Sequence, residues 1–129
     1  MRPRALIVED DPTTQRLLSA ILDGEGIDVE AASDGDVAIE MLSRKRFDVV
    51  LLDIVLPRVS GTAVMEHLRR TNPSLLECVI VVTGLDVSEI RALFPMVRQA
   101  LGKPVLPTRL RATIRTCVPN SSPPNASVA

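Results

Sequence analysis

Short runs of aliphatic residues alternate along the chain with longer stretches in which apolar residues recur about every 3.6 positions. Uninterrupted aliphatic runs are typical of strands buried on both faces, and the longer period is typical of amphipathic helices. The runs predict strands at 5–8, 27–32, 49–52, 78–82 and 97–101. The periodic stretches predict helices that begin at Pro12, after the turn 33–36, at Thr62, at Ser88 and at Pro107. Polarity alternates within 27–32, which predicts an edge strand.

The order of these elements is five β-α units without an insertion. Such alternation predicts an α/β fold with a parallel sheet and helices on both of its faces. We expect one domain over residues 1–118. Residues 119–129 show no periodicity and are rich in Pro, Ser and Asn, so we expect a disordered tail or the start of a linker there.

Composition argues against several classes of function. The formal net charge is −1, so the chain has no overall positive field that would attract nucleic acid or an anionic membrane. It has no Trp or Tyr on which single-stranded bases could stack. No apolar run approaches the roughly 18 residues of a membrane span, and we expect a cytoplasmic protein without membrane contact. Cys78 and Cys117 are far apart in the sequence and lack a metal-binding spacing, so free thiols are expected.

Polar residues follow four of the predicted strands where each strand ends: Glu9 and Asp10, Asp53, Thr83, and Lys103. The carboxyl ends of parallel strands lie at one edge of the sheet, so these side chains should converge. Three carboxylates brought together repel one another unless a cation offsets their charge, and oxygen ligands of this kind suit Mg²⁺. A lysine and a hydroxyl group nearby suit the oxygens of a phosphoryl group. One carboxylate could then act as a nucleophile and form an acyl phosphate.

Most of these residues also have an ordinary structural alternative. Asp10 or Asp11 could cap the first helix, Thr83 could simply close its strand, and Lys103 could be an exposed loop lysine. Asp53 is harder to explain in this way, because a buried carboxylate costs several kcal/mol unless it is paired or coordinated. Their occurrence together at the same end of successive strands favours a functional site.

The chain resembles the response-regulator receiver domains of bacterial two-component signalling over about residues 4–118. The similarity rests on four segments in this order: Leu6-Ile7-Val8-Glu9-Asp10-Asp11, Asp53-Ile54-Val55-Leu56-Pro57 with Ser60-Gly61, Val81-Val82-Thr83-Gly84, and Gly102-Lys103-Pro104. The resemblance implies a flavodoxin-like (βα)5 three-layer sandwich whose parallel five-stranded sheet has the order 2-1-3-4-5.

The resemblance also implies roles for the acidic residues. Asp53 would accept a phosphoryl group from a histidine kinase or a phosphotransfer protein. Asp10 and Asp53 would bind Mg²⁺ directly, and Glu9 would bind it directly or through water. The backbone carbonyl of Val55 would complete the protein's share of the metal ligands.

By the same resemblance, Thr83 would hydrogen-bond the phosphoryl group and Lys103 would pair with it. The domain would then act as a signalling switch that alters protein–protein contacts with an unidentified downstream protein. We expect a monomer or weak homodimer with no direct nucleic-acid binding by this domain.

Three positions depart from the family pattern. Ala100 stands where the family usually has Tyr or Phe, three residues before the lysine, so a side-chain rotation at this position cannot report the state of Thr83. Val55 and Leu85 stand two residues after Asp53 and Thr83, where rapidly self-dephosphorylating members often carry an amide or a carboxylate. We therefore expect a phosphoacceptor with at most slow self-dephosphorylation, and not an enzyme.

Two other functions are considered. A haloacid-dehalogenase-like phosphatase also uses an Asp at a strand end, but it needs a second Asp two residues later, where this chain has Val55. A receiver-like interaction module that is not regulated by phosphorylation stays open as an alternative because of Ala100. The presence of Asp10, Asp53, Thr83 and Lys103 favours the phosphorylated switch over this alternative.

Overall fold

A computed structural model describes residues 2–56 and 60–118. The predicted tail at 119–129 and part of the loop after Asp53 lie outside the described residues. Within them, the elements in chain order are β1 (Arg4–Val8), α1 (Pro12–Gly24), β2 (Asp28–Ala32), α2 (Gly35–Arg44), β3 (Val49–Leu52), α3 (Gly61–Thr71), α4 (Pro73–Leu76), β4 (Val79–Thr83), α5 (Val87–Leu93), β5 (Gln99–Gly102) and α6 (Pro107–Cys117).

The five described strands form one parallel sheet of order β2-β1-β3-β4-β5. This order is the one expected of a flavodoxin-like sheet, and it confirms the predicted fold. Strand β2 lies at an edge, as its alternating polarity predicts. Because the chain order reverses beside β1, the carboxyl ends of β1 and β3 lie next to each other at the switch point where such folds bind ligands.

Apolar cores lie on both faces of the sheet. In β1, Leu6 and Val8 pack on the face covered by α2, α3, α4 and α5, whereas Ala5 and Ile7 pack on the face covered by α1 and α6. Every residue of β3 and β4 is buried, because alternate side chains enter the two cores. Burial on both faces is why these strands read as continuous aliphatic runs in the sequence.

Three details of the structure do not follow from the sequence pattern. The chain does not simply break at Pro73, but begins the short helix α4 there, because proline suits the first turn of a helix. Strand β5 begins at Gln99 and not at Val97, because its ladder with β4 starts with Ile80 opposite Gln99. Leu17 belongs to the apolar periodic stretch of α1, yet it is 43% exposed.

Candidate functional site

The carboxyl ends of β1 and β3 bring the first two acidic residues together. The parallel register pairs Val8 with Leu52, so Glu9 and Asp53 leave neighbouring strands at the same level. The Asp53 amide donates a hydrogen bond to the Val8 carbonyl at 2.9 Å, which extends the ladder one residue beyond the strands. Glu9 is 1% exposed and Asp53 is 6% exposed. Two carboxylates are therefore buried side by side at the edge of the sheet.

The ends of β4 and β5 supply the hydroxyl group and the cation. Thr83 lies opposite Gly102 in the ladder, and the Lys103 amide donates to the Thr83 carbonyl at 2.8 Å. Lys103 then reaches across the edge, and its Nζ lies 2.9 Å from Asp53 Oδ2 and 2.6 Å from Glu9 Oε1. The structure thus brings together the strand-end residues that the sequence singles out. Their chemical roles stay predictions.

The charges at this edge do not balance. Glu9, Asp10 and Asp53 each carry a carboxylate, and their closest oxygens all lie within 4.8 Å of one another. Lys103 is the cation that contacts this group among the described residues. Three negative charges against one positive charge leave a net charge of −2, which attracts a further cation.

The protonation of Glu9 and Lys103 reflects this arrangement. Burial raises the pKa of Glu9 above its ordinary 4.5, although Lys103 and the Asp11 amide oppose the shift. For Lys103, burial alone would lower the pKa, but its contacts with Glu9 and Asp53 outweigh burial and raise the pKa above 10.5. The lysine is therefore a permanent cation at neutral pH.

The donor set fits a hard divalent cation. All three acidic side chains offer carboxylate oxygens, the ligand type that Mg²⁺ prefers. Within the described part of the chain, the buried Glu9 Oε1 makes no hydrogen bond of good geometry, although it forms an ion pair with Lys103 at 2.6 Å. Asp10 is exposed, so one side of the group is open to solvent and to a hydrated ion. Mg²⁺ usually keeps several of its waters in such sites.

Asp10 and Asp11 have separate roles in the structure. Asp11 is the N-cap of α1, and its Oδ2 accepts hydrogen bonds from the Thr14 amide at 2.9 Å and the Thr14 hydroxyl at 2.6 Å. The Asp11 amide donates to Glu9 Oε2 at 3.1 Å, which helps to orient that carboxylate. The structural alternative is therefore correct for Asp11, while Asp10 stays available at the acidic group.

The loop after Asp53 fixes the other oxygen of this carboxylate. The Val55 amide donates to Asp53 Oδ1 at 2.9 Å and Lys103 donates to Oδ2, so both oxygens of Asp53 accept a hydrogen bond. The expected metal contact through the Val55 carbonyl stays a prediction. Gly61 was singled out only as part of a motif, but it lies directly against the backbone of Asp53: a Cβ atom added there would lie 2.5 Å from the Asp53 carbonyl oxygen. No periodicity of the sequence predicts this close approach.

Comparison with known proteins agrees with this arrangement. The family model described as "Response regulator receiver domain" matches residues 5–115. The chain belongs to the response-regulator receiver family.

Named relatives of this receiver domain are longer than the chain itself. The probable transcriptional regulatory protein TcrX of Mycobacterium tuberculosis is 41% identical over 86 residues, covering 67% of this chain and 36% of TcrX. The response regulator MprA of Mycobacterium leprae is 36% identical over 126 residues, covering 96% of this chain and 54% of MprA. The receiver chain therefore spans about a third to a half of the length of these relatives.

A solved structure shows the same fold. The CheY-like response regulator receiver domain protein from Methanospirillum hungatei JF-1 is 30% identical and superimposes with a TM-score of 0.80. The match covers 90% of this receiver domain and 93% of that chain. Among the described residues, no helix is both long and apolar enough to cross a membrane.

The receiver domain keeps a buried hydroxyl group at the end of β4. Thr83 is fully buried, and its Oγ1 accepts a hydrogen bond from the Leu85 amide at 2.9 Å. Since that bond uses a lone pair, the hydroxyl hydrogen is left to donate elsewhere. Ala100 pairs with Val81 in the ladder and is buried in the core. The position that carries an aromatic ring in many family members is thus filled here by a buried methyl group.

Proposed function

We propose that the protein is a phosphoacceptor signalling switch in a two-component phosphorelay, with Asp53 as the residue that is phosphorylated. The observation that carries the proposal is the pairing of the buried Asp53 carboxylate with Lys103 inside a group of three acidic side chains. A carboxylate oxygen of Asp53 would attack phosphorus as the bond to the histidine nitrogen of the donor breaks. The donor would be a histidine kinase or a phosphotransfer protein.

The charges around Asp53 are suited to this transfer. Glu9, Asp10 and Asp53 would hold Mg²⁺, which supplies positive charge that offsets the carboxylates and the phosphoryl oxygens. The Lys103 ammonium already lies 2.9 Å from Asp53 Oδ2, so it could follow the phosphoryl oxygens with little movement. Thr83 would donate its hydroxyl hydrogen to another of these oxygens. Positioning and electrostatic stabilisation are the main contributions that a protein makes to phosphoryl transfer.

The test is a spectroscopic titration of the ¹⁵N-labelled protein. Addition of beryllofluoride or acetyl phosphate in the presence of Mg²⁺ should shift amide resonances at the carboxyl edge of the sheet. Omitting Mg²⁺ or replacing Asp53→Asn should abolish the shift. Asp36→Asn is a matched control, because this exposed carboxylate lies in the first turn of α2 outside the acidic group. Absence of a shift at saturating donor would favour the interaction module that is not regulated by phosphorylation.

We further propose that the phosphorylated form loses its phosphoryl group slowly and that the protein is not an enzyme. Val55 is 58% exposed and Leu85 is 48% exposed, so both aliphatic side chains lie at the surface beside the site. Neither can accept a hydrogen bond from a water molecule and orient it toward phosphorus. After loading with acetyl phosphate and removal of the donor, decay should take minutes or longer. Loss within seconds would contradict this proposal.

The proposal extends to partners in general terms only. Phosphorylation would alter contacts with an unidentified downstream protein, and the domain itself would act as a monomer or weak homodimer in the cytoplasm. TcrX is named as a probable transcriptional regulatory protein, but that name describes a chain of which this one covers 36%. We propose protein contact, and not direct nucleic-acid binding, for the domain described here.

A further inference from the structure

Two cysteines that are 39 residues apart in the sequence meet at the opposite edge of the sheet from Asp53. Cys78 directly precedes β4, and Cys117 is the last residue of α6. The Cys78 thiol lies 4.0 Å from the Cys117 carbonyl oxygen and donates toward it. Both thiols are free and half-buried. The sequence predicts free thiols, but it does not predict that they are neighbours.

A cation and an open cavity accompany the thiol pair. Arg98 donates from its Nε to the Glu77 carbonyl at 3.0 Å, which holds its guanidinium group beside the start of β4. This contact places a positive charge next to Cys78, the residue that follows Glu77. Cys78 also lines an open cavity of about 700 Å³ between the ends of α2 and α3. A small oxidant therefore has a path to at least one of the two sulfur atoms.

We propose that Cys78 and Cys117 are a site of oxidative modification, at which a peroxide converts the two thiols into an intramolecular disulfide. The bond would join the start of β4 to the end of α6. Because neither residue belongs to the phosphoryl site, the inference does not depend on the function proposed for Asp53.

The reaction balances with hydrogen peroxide as the oxidant. One cysteine, as thiolate, attacks a peroxide oxygen; the O–O bond breaks, and the departing hydroxide takes up a proton and becomes water. The product is a sulfenic acid. The second sulfur then attacks the sulfenic sulfur, the S–O bond breaks, and a second water leaves as the disulfide forms. The two thiols together supply the two electrons that reduce the peroxide.

The surroundings of the two thiols determine how fast they are oxidised. Burial raises the pKa of Cys117 to about 11, although Arg98 opposes the shift. Since the thiolate is the nucleophile, oxidation that starts at Cys117 should be slow at neutral pH and faster in alkaline solution. Proximity then favours the second step, because the resolving sulfur is already beside the sulfenic acid.

Peptide mapping of the full chain tests the proposal. Trypsin separates Cys78, in the fragment 71–91, from Cys117, in the fragment 116–129. After treatment of dilute protein with hydrogen peroxide, the intact chain should lose about 2 Da, the mass of two hydrogen atoms. Digestion without reductant should yield the two fragments joined, and dithiothreitol should separate them. The rate constant for disulfide formation should stay the same over a tenfold range of protein concentration, because the bond forms within one chain.

Variants and the unfolded chain provide the controls. Cys78→Ser and Cys117→Ser should each lose the mass change and leave a sulfenic acid that dimedone traps on the remaining cysteine. In concentrated urea, dimedone should trap a larger share of the sulfenic acid before the intramolecular bond forms, because the two sulfurs are no longer held together. Asp53→Asn should react like the wild type. Separate oxidation of both thiols to sulfinic acids, or a disulfide that joins two chains, would overturn the proposal.

Discussion

Replacement of Gly61 by alanine tests how the fold positions the proposed phosphoryl site. Gly61 begins α3, and its amide donates to the Ile54 carbonyl at 3.0 Å. An added Cβ atom would lie 2.5 Å from the Asp53 carbonyl oxygen and 2.6 Å from Ile54 Cα. Both obstructing atoms belong to the backbone, so no side-chain rotation can make room for the methyl group.

The loss of stability expected for Gly61→Ala can be estimated from these distances. Ordinary van der Waals contact begins at 3.4 Å, so the backbone or the helix must move by about 0.9 Å. Asp53 resists this movement, because its amide is bonded to the Val8 carbonyl at 2.9 Å. Inserting a methyl group into a well-packed site typically costs about 1–3 kcal/mol, and we expect about 3 kcal/mol for Gly61→Ala. At roughly 4 °C per kcal/mol, the melting temperature should fall by about 12 °C.

Thermal and urea unfolding of Gly61→Ala measure this loss directly. Gly84→Ala is the matched control, because Gly84 also lies at the carboxyl edge and an added Cβ there meets nothing within 4 Å. We expect the control to remain within about 0.5 kcal/mol of the wild type. Where Gly61→Ala folds, its Mg²⁺-dependent response to beryllofluoride should weaken, since the backbone that carries Asp53 has shifted. A loss below about 1 kcal/mol together with an unchanged response would refute the reasoning.

Three further predictions address the metal ligands, a thiol and a helix cap. Burial raises the pKa of Glu9 above 4.5, and a protonated carboxyl group does not ligate Mg²⁺. As the pH is lowered, the Mg²⁺ affinity measured by calorimetry should therefore begin to fall at a higher pH than it would with an ordinary glutamate. Glu9→Gln should remove that part of the pH dependence. The pKa of Cys117 is raised to about 11, so its alkylation by iodoacetamide should accelerate about tenfold per pH unit up to that value, whereas in the unfolded chain the rate should level off near the ordinary 9.0. Asp86→Ala removes the side chain that caps α5 through the amides of residues 88 and 89, and it should lower the free energy of urea unfolding by about 1 kcal/mol. Ser60→Ala, at an N-cap without a side-chain cap bond, should lower it by less than about 0.5 kcal/mol. Equal losses in the two variants would contradict the capping argument.

The sequence predicts the sheet well because each buried strand has a strong local pattern. The aliphatic runs of β3 and β4 have no polar face that could be exposed to solvent, so these strands must lie in the interior of the sheet. Prediction is weaker where tertiary packing decides the outcome. Leu17 fits the helical period of α1, but it is exposed, whereas Leu18 and Leu22 lie in the core. Asn72 is both the C-cap of α3 and the N-cap of α4, so the next helix begins directly at Pro73.

The convergence of the site residues can be predicted equally well, because it follows from the topology of the sheet. Once the strands are known to be parallel, Asp53, Thr83 and Lys103 must share one edge, whatever the details of packing. The simultaneous contact of Lys103 with Glu9 and Asp53 depends on the reach of one side chain, and no sequence pattern encodes it. The same holds for the meeting of the two thiols, because the ends of β4 and α6 come together only in the tertiary structure.

The position of Ala100 bears on how the proposed phosphoryl site could be connected to the rest of the fold. Ala100 is buried opposite Val81, and its methyl group has no rotamers through which it could respond to Thr83. The backbone provides a more direct connection. The Lys103 amide is bonded to the Thr83 carbonyl, and an added Cβ atom on Gly102 would lie 3.5 Å from the Val87 side chain in α5. We therefore expect a displacement of Thr83 or Lys103 to be passed to α5 through the paired ends of β4 and β5, without an aromatic ring at position 100.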